Sequence, residues 1–364
     1  MKLNAKMKKA MVMSVLVTIF SVGCSSGGDA ADKNITLRIG AGHVLENITW
    51  TMAMEEHFVT EVDARASELG YNITWIKSYG GSVAKLGECL EAVESGILDI
   101  TYVNFGFESF ALAPHNMDFR IPFTCPDSNI VSKATLALFE AYPEEMSEVF
   151  EKNHNQTVLG VGVTDNYVIY SKKPINSMDD FKGLSVGGGA GYMYWLNNAG
   201  AIPVTANLNE AYTSLQTGVF DANIGPLGAS YGVKLHEVAP YVIMTDFGAK
   251  MAGALTINND TLENLPQDLR DVIIEVGAGY SEYEAKLTQD KYLKDIESLK
   301  EEGAEFIVFS DQAKQEWVNL IPDVAQELVD ELEAAGFDGK DMLDAYWGAL
   351  SDNGYDMTVN WKFR

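Results

Sequence analysis

Ser230 lies in Gly228-Ala229-Ser230-Tyr231-Gly232, the GxSxG spacing that in hydrolases raises a nucleophilic serine on a sharp strand-to-helix turn. That turn needs an apolar strand directly before it. Gly225-Pro226-Leu227 stands there instead, and a chance match among 32 glycines is the stronger reading. His43, His57, His115, His154 and His236 are scattered without HExxH or paired zinc spacing, so no metal is expected. Gly40-Ala41-Gly42 lacks the third glycine of a dinucleotide fingerprint, and no cofactor is expected. The run Gly187–Gly191 opens a predicted helix carrying Tyr192, Tyr194 and Trp195. Its N–H groups could face a polar ligand, or the run could be a turn that permits close backbone approach. Residues two apart on a helix face different ways, so at least one of these rings belongs to the core. Cys89 and Cys125 either bridge in an oxidising compartment or stay as buried thiols; their positions in sequence leave both open.

Such groups need elements to hold them, and composition limits what those can be. Of 364 residues, 26 are Lys or Arg and 52 are Asp or Glu, a formal charge of −26 that argues against nucleic acid as a partner. Hydrophobic residues at 47% support a packed core, and the length suits two domains. Residues 1–23 read as an export signal: Lys2, Lys6, Lys8 and Lys9 precede an apolar run from Ala10 to Val22 that is too short to span a membrane. Ser21-Val22-Gly23-Cys24 resembles a bacterial lipobox with Cys24 as the acylated residue, although Ser21 departs from the usual aliphatic residue and a plain signal peptide is the alternative. An exported protein at the periplasmic or extracytoplasmic face follows, touching the membrane only through a lipid on Cys24.

From Asn34 onward, short apolar runs alternate with amphipathic stretches, the pattern of βα units around a mostly parallel sheet. Strands are predicted at 35–40, 72–77, 97–103, 158–163, 167–171, 184–186, 202–204 and 219–224. Helices are predicted at 50–69, 86–94, 192–199 and 210–216. After Leu265-Pro266 the chain reads as one long helix to about Glu302, able to bridge two lobes, followed by acidic helices over 311–335 and 340–350.

The ordered set Pro174-Ile175-Asn176-Ser177-Met178-Asp179-Asp180-Phe181-Lys182-Gly183-Leu184, Gly200-Ala201-Ile202-Pro203, Asn209 through Asp221 and Lys234-Leu235-His236-Glu237-Val238 resembles the TRAP-transporter substrate-binding proteins of the DctP type. Leu37–Gly40, Leu86–Asp99 and Ile121-Pro122-Phe123 extend the similarity over nearly the whole mature chain. The resemblance implies an α/β, two-lobed, periplasmic-binding-protein-like fold with crossing hinge strands and a long lobe-spanning helix. It sets lobe I at 34–163, lobe II at 164–250, and a returning strand, the spanning helix and C-terminal helices at 251–364. It implies a receptor that makes or breaks no bond, closes on a small organic solute and delivers it to a two-part membrane permease.

By residue-by-residue matching, the ligand contacts would be His43, Asn104, Phe105, Tyr167, Gly187, Ala190, Leu208 and Gly225. The sequence departs from the family there. Gly187 and Tyr167 stand where relatives carry carboxylate-clamping arginines, and Gly225 where they carry an asparagine. A carboxylate buried without a partner costs several kcal/mol, so simple dicarboxylates should be rejected unless another cation takes over. Glycine in place of long side chains should also enlarge the cavity. One aromatic face of about 150–250 Å² buried at about 25 cal/mol per Å² supplies roughly 4–6 kcal/mol. A neutral, apolar or aromatic solute is therefore expected. Arg120, between apolar residues before a Pro-Phe loop, is either a relocated clamp or half of a structural ion pair. A serine hydrolase using Ser230, and a chemoreceptor or adhesion module on the same fold, are the competing readings.

Overall fold

The computed structural model describes residues 33–361; the segment read as an export signal and Cys24 lie outside them. The chain begins with β1 (Asn34–Gly40), β2 (Asn72–Ser78), β3 (Ile100–Asn104) and β4 (Gln156–Val163). It crosses to β5 (Tyr167–Ser171), β6 (Ser185–Gly188), β7 (Ile202–Thr205), β8 (Ala222–Pro226) and β9 (Tyr241–Met244), returns as β10 (Met251–Asn258), and ends its strands with β11 (Glu305–Val308). Two sheets result, ordered β2-β1-β3-β10-β4 and β11-β9-β5-β8-β6-β7. Both are mixed rather than mostly parallel. The reason is the double crossing: β10 comes back antiparallel between β3 and β4, and β5 lies antiparallel to β8 and β9. All eight residues of β10 are buried, as a strand covered on both faces requires.

Gln267–Glu301 forms the long helix, 35 residues or about 52 Å at 1.5 Å per residue. Pro266 stands just before it, where its missing N–H costs nothing. Leu269, Val272, Ile273, Val276 and Tyr280 pack in the apolar cluster of the first sheet, while Tyr292 and Leu299 pack in a cluster of the second. One helix thus ties both lobes. It approaches β4 closely because glycines face each other: a Cβ on Gly160 would stand 2.7 Å from the Gly277 carbonyl, and one on Gly277 2.7 Å from Leu159.

Local sequence explains most element ends. The Asp127 side chain accepts from Asn129 and Ile130 N–H at 2.8 and 3.2 Å and starts the Ser128–Ala141 helix, which the sequence pattern did not reveal. Ser177 and Asp180 close a capping box, but over a 3₁₀ turn, Met178–Phe181. The predicted helix at 50–69 is present with a π-helical turn, Met54–Val59, inside it. The predicted 192–199 helix is instead a 3₁₀ segment, Ala190–Leu196. The strand expected at 219–224 begins at Ala222, because Gly218 at φ 82° closes the preceding helix. Cys89 and Cys125 are both free and buried, which corrects the disulfide alternative. Cys89 packs with Ala84, Ala92, Val93 and Leu98, and Cys125 in the separate main core, so the thiols have different surroundings.

Candidate functional site

Two strands of chain cross between the lobes and hydrogen-bond to each other. Thr164 N–H donates to Lys250 O at 2.8 Å, Lys250 N–H to Thr164 Oγ1 at 2.9 Å, and Gly248 N–H to Asn166 Oδ1 at 3.1 Å. The Lys250 ammonium is fully buried beneath this crossing and donates to Asp118 O, Ile121 O and Thr124 Oγ1 at 3.1, 2.9 and 3.0 Å. Burial lowers the Lys250 pKa and raises that of Asp118, whose carboxylate accepts from Met251 N–H at 2.5 Å. The long helix adds Glu284, which accepts from Thr49 Oγ1, Thr288 Oγ1 and Val163 N–H at 3.0, 2.8 and 2.9 Å. Burial nevertheless pushes Glu284 up to about 7.

At the junction of both lobes and the crossing strand lies a cavity of about 30 Å³, lined by Asn47, Thr49, Trp50, Asp165, Gly228 and Lys291 among others. Asp165 Oδ2 accepts from Gly228 N–H at 3.0 Å, whereas its Oδ1 is buried without a partner. Burial, the largest effect, pushes Asp165 up to about 7. A larger cavity of about 290 Å³, lined by Leu112, His115, Val149 and Phe337 among others, is built from helices and touches none of the crossing residues.

The predicted site residues fall into separate groups. His43, past the end of β1, meets Trp50 edge-on at 5.1 Å and Phe107 at 6.3 Å, and burial lowers its pKa to about 4. Trp50 in turn stacks on Tyr102 at 5.5 Å. Asn104 ends β3 and is partly exposed, but Phe105 is fully buried against His115 at 4.7 Å and belongs to the core.

Across the junction, register puts Gly187, Asn223, Gly225 and Val168 on one sheet face and Tyr167 on the other. Leu208 joins the first group: a Cβ on Gly225 would stand 4.0 Å from its Cδ1 and 2.9 Å from Ser230 Oγ. Tyr167 packs instead among Phe119, Tyr192 and Trp195, at 6.2, 5.2 and 6.0 Å. Ala190 is exposed at the start of its 3₁₀ turn.

Two expectations need correction. Gly187 does not enlarge a cavity, because the fully buried Phe220 ring occupies the space; a Cβ at 187 would stand 2.6 Å from it. The glycines at 188 and 189 likewise admit the ring of Tyr192, so the run is a close-approach turn. Arg120 makes a bidentate pair with Glu331 at 2.8 and 3.1 Å, the ion-pair alternative, and its guanidinium lies 4.9 Å over the Tyr194 ring. Ser230 Oγ is buried and bonded to no described residue, and His236 Nε2 is engaged by Glu302 at 2.6 Å, so no serine–histidine pair is assembled.

Comparison with known proteins sets this geometry in a family. The model for bacterial extracellular solute-binding protein, family 7 (DctP), matches residues 74–332. The chain belongs to that family. The C4-dicarboxylate-binding periplasmic protein DctP of Rhodobacter capsulatus is 23% identical over 221 residues, 59% of this chain and 64% of that protein, so the match spans under two thirds of the relative. A TRAP periplasmic solute-binding protein from Desulfovibrio salexigens, solved as an open complex, superposes with a TM-score of 0.79 at 21% identity, covering 92% of this chain and all of the other. One from Rhodoferax ferrireducens, in complex with copurified benzoate, gives 0.73 at 20% identity, covering 87% and 98%. The two-lobed fold inferred from the resemblance is therefore that of the family 7 receptors.

Within this family 7 chain, sequence reasoning missed Trp50, Asp165, Phe220 and Glu284. Asp165 carried one signal, an acid in the short link between two apolar strands. The others look like ordinary helix or strand residues until the lobes are assembled.

Proposed function

We propose that this protein is an extracytoplasmic receptor of a TRAP-type transporter that closes on a small neutral solute with an aromatic or apolar body. It makes and breaks no bond, and it delivers the solute to the membrane permease while tethered by a lipid on Cys24. One observation carries the reading: the cations nearest the junction are already committed. Arg120 is paired with Glu331, Lys250 is enclosed by three oxygens, and Lys291 lies 2.5 Å from Asp295. The position of one family arginine is filled by the Phe220 ring. The ring surfaces of His43, Trp50 and Phe107 on one side and Leu208 on the other offer apolar contact in place of a salt bridge.

The benzoate bound by the R. ferrireducens protein and the C4-dicarboxylate named for the R. capsulatus protein mark the two poles of the solute question. On this reading the chain lies toward the ring end and lacks the acid clamp. Mass spectrometry of the solute released from purified protein, with calorimetric titration of succinate and benzyl alcohol, tests it. A ring-bearing neutral compound supports the reading; tight binding of succinate overturns it.

A further inference from the structure

The small junction cavity contains a mismatch that a ligand can answer. Trp50 and Asp165 both line it, and each carries a buried polar atom without a partner: the indole Nε1–H and the carboxylate Oδ1. The indole nitrogen only donates, and the oxygen of an ionised carboxylate only accepts. A group satisfying both must accept from one side and donate to the other. A carboxylate has no hydrogen to give Asp165, and an ammonium has no lone pair for the indole. A hydroxyl or a primary amide has both.

Size agrees, since about 30 Å³ holds one such head group and leaves no room for a ring beside it. Charge agrees too. Asp295, bound to Lys291, adds a second acid near Gly228, which disfavours an incoming anion. Burial pushes Asp165 up to about 7, so the acceptor form that this pairing needs is the one present above that pH, and the titrations below belong at pH 8.

We propose that Trp50 and Asp165 form a head-group subsite, shared between the lobes, that selects solutes bearing a hydroxyl or primary amide on an apolar body. The inference rests on the receptor reading above. Closure would bring Asn47–Trp50 and Pro226–Ala229 onto the head group, leaving the body against the neighbouring rings.

Calorimetric titration of the mature chain with benzyl alcohol, benzamide, benzylamine, benzoate and toluene tests the proposal. Benzyl alcohol and benzamide are expected to bind at least tenfold tighter than the other three. Trp50→Phe keeps a smaller ring but removes the donor, and should weaken the alcohol and the amide at least fivefold more than it weakens toluene. Asp165→Asn can keep its contact to Gly228 N–H through the amide oxygen while presenting a donor at the other position, so the preference should turn toward benzoate. Both variants are conservative in shape, and their thermal melts establish folding. The subsite is overturned if benzoate or benzylamine binds tightest to the native chain, if both variants keep its order of preference, or if a liganded crystal shows only water on the two atoms. If no ring compound binds but succinate does, the receptor's ring preference falls, and the subsite with it.

Discussion

Gly187→Ala is the smallest change that asks whether the lost arginine position is empty or plugged. The backbone there does not have positive φ, so a strand conformation accepts alanine, and relief of glycine's excess unfolded-state freedom would by itself favour the variant by about 0.5–1 kcal/mol. Opposing this is the added carbon 2.6 Å from the ring of Phe220, whose side chain is fully buried among Ala211 and Leu215 and has little freedom to retreat. Overpacking of this kind costs about 1–3 kcal/mol, so the net expectation is a loss of roughly 0.5–2 kcal/mol. Phe220→Ala alone should cost about 3–5 kcal/mol through its cavity. In the double variant the ring is gone and the methyl is tolerated, so its cost should fall short of the sum of the two single costs by the overpacking removed, about 1–3 kcal/mol. Urea unfolding of the four proteins measures this coupling.

The same pair bears on function. Gly187→Arg with Phe220→Ala makes room for a guanidinium at the position the resemblance assigns to a clamping arginine, and a charge-assisted bond of about 1.5–3 kcal/mol should tighten succinate binding at least tenfold. A Gly187→Ala variant as stable as the native chain, or single costs that simply add, would refute the plug.

Other consequences are open to measurement. Asp165 and Glu284 both have folded pKa values near 7, well above the ordinary carboxylate range, so the folded state holds protons that the unfolded state has released. Taken alone, these two carboxyls make stability fall as pH rises, each contributing about 1.4 kcal/mol less at pH 8 than at pH 6, together about 2–3 kcal/mol. His43 and His115, lowered to about 4 by burial, act in the opposite sense and take back about 1.6 kcal/mol of this at pH 6, so the net fall from pH 6 to pH 8 is about 1 kcal/mol, roughly 1–2 °C in Tm, and the profile levels off near pH 5 rather than climbing further in acid. A Tm that rises between pH 6 and 8 would contradict the assignment. Gly248→Ala should cost at least about 2 kcal/mol and alter solute affinity, because Gly248 has φ 101° at the crossing and its Cβ would collide with Thr124; circular dichroism melts and titration read both effects. Cys24→Ala should move the protein from the membrane fraction to the soluble periplasm and abolish labelling by a fatty-acid analogue, whereas unchanged fractionation would favour the plain signal peptide.

How much of this was legible in the chain depends on the range over which each feature is encoded. The strands, the long helix behind Pro266 and the glycine stop at Gly218 arise from neighbours a few residues apart, and periodicity and caps reveal them. The mixed sheets do not show in periodicity, because an alternating βα pattern says nothing about β10 returning between β3 and β4 from 88 residues or more away; only the family resemblance implied a returning strand. The site shows the same division more sharply. Matching along the sequence sets Gly187 where the resemblance expects an arginine, and infers space from the missing side chain. Space is a property of neighbours in three dimensions, and Phe220, one strand away, fills it. Tyr167 was grouped with Gly187 by analogy, whereas the two-residue period of β5 sends it to the opposite face. Trp50 gives no pattern, and Asp165 only that of an acid between two apolar strands, since each becomes distinctive only when folding leaves one of its polar atoms buried without a partner. In a two-lobed receptor the fold is written within each lobe, while selectivity is written across the gap, and a linear reading recovers the first far better than the second.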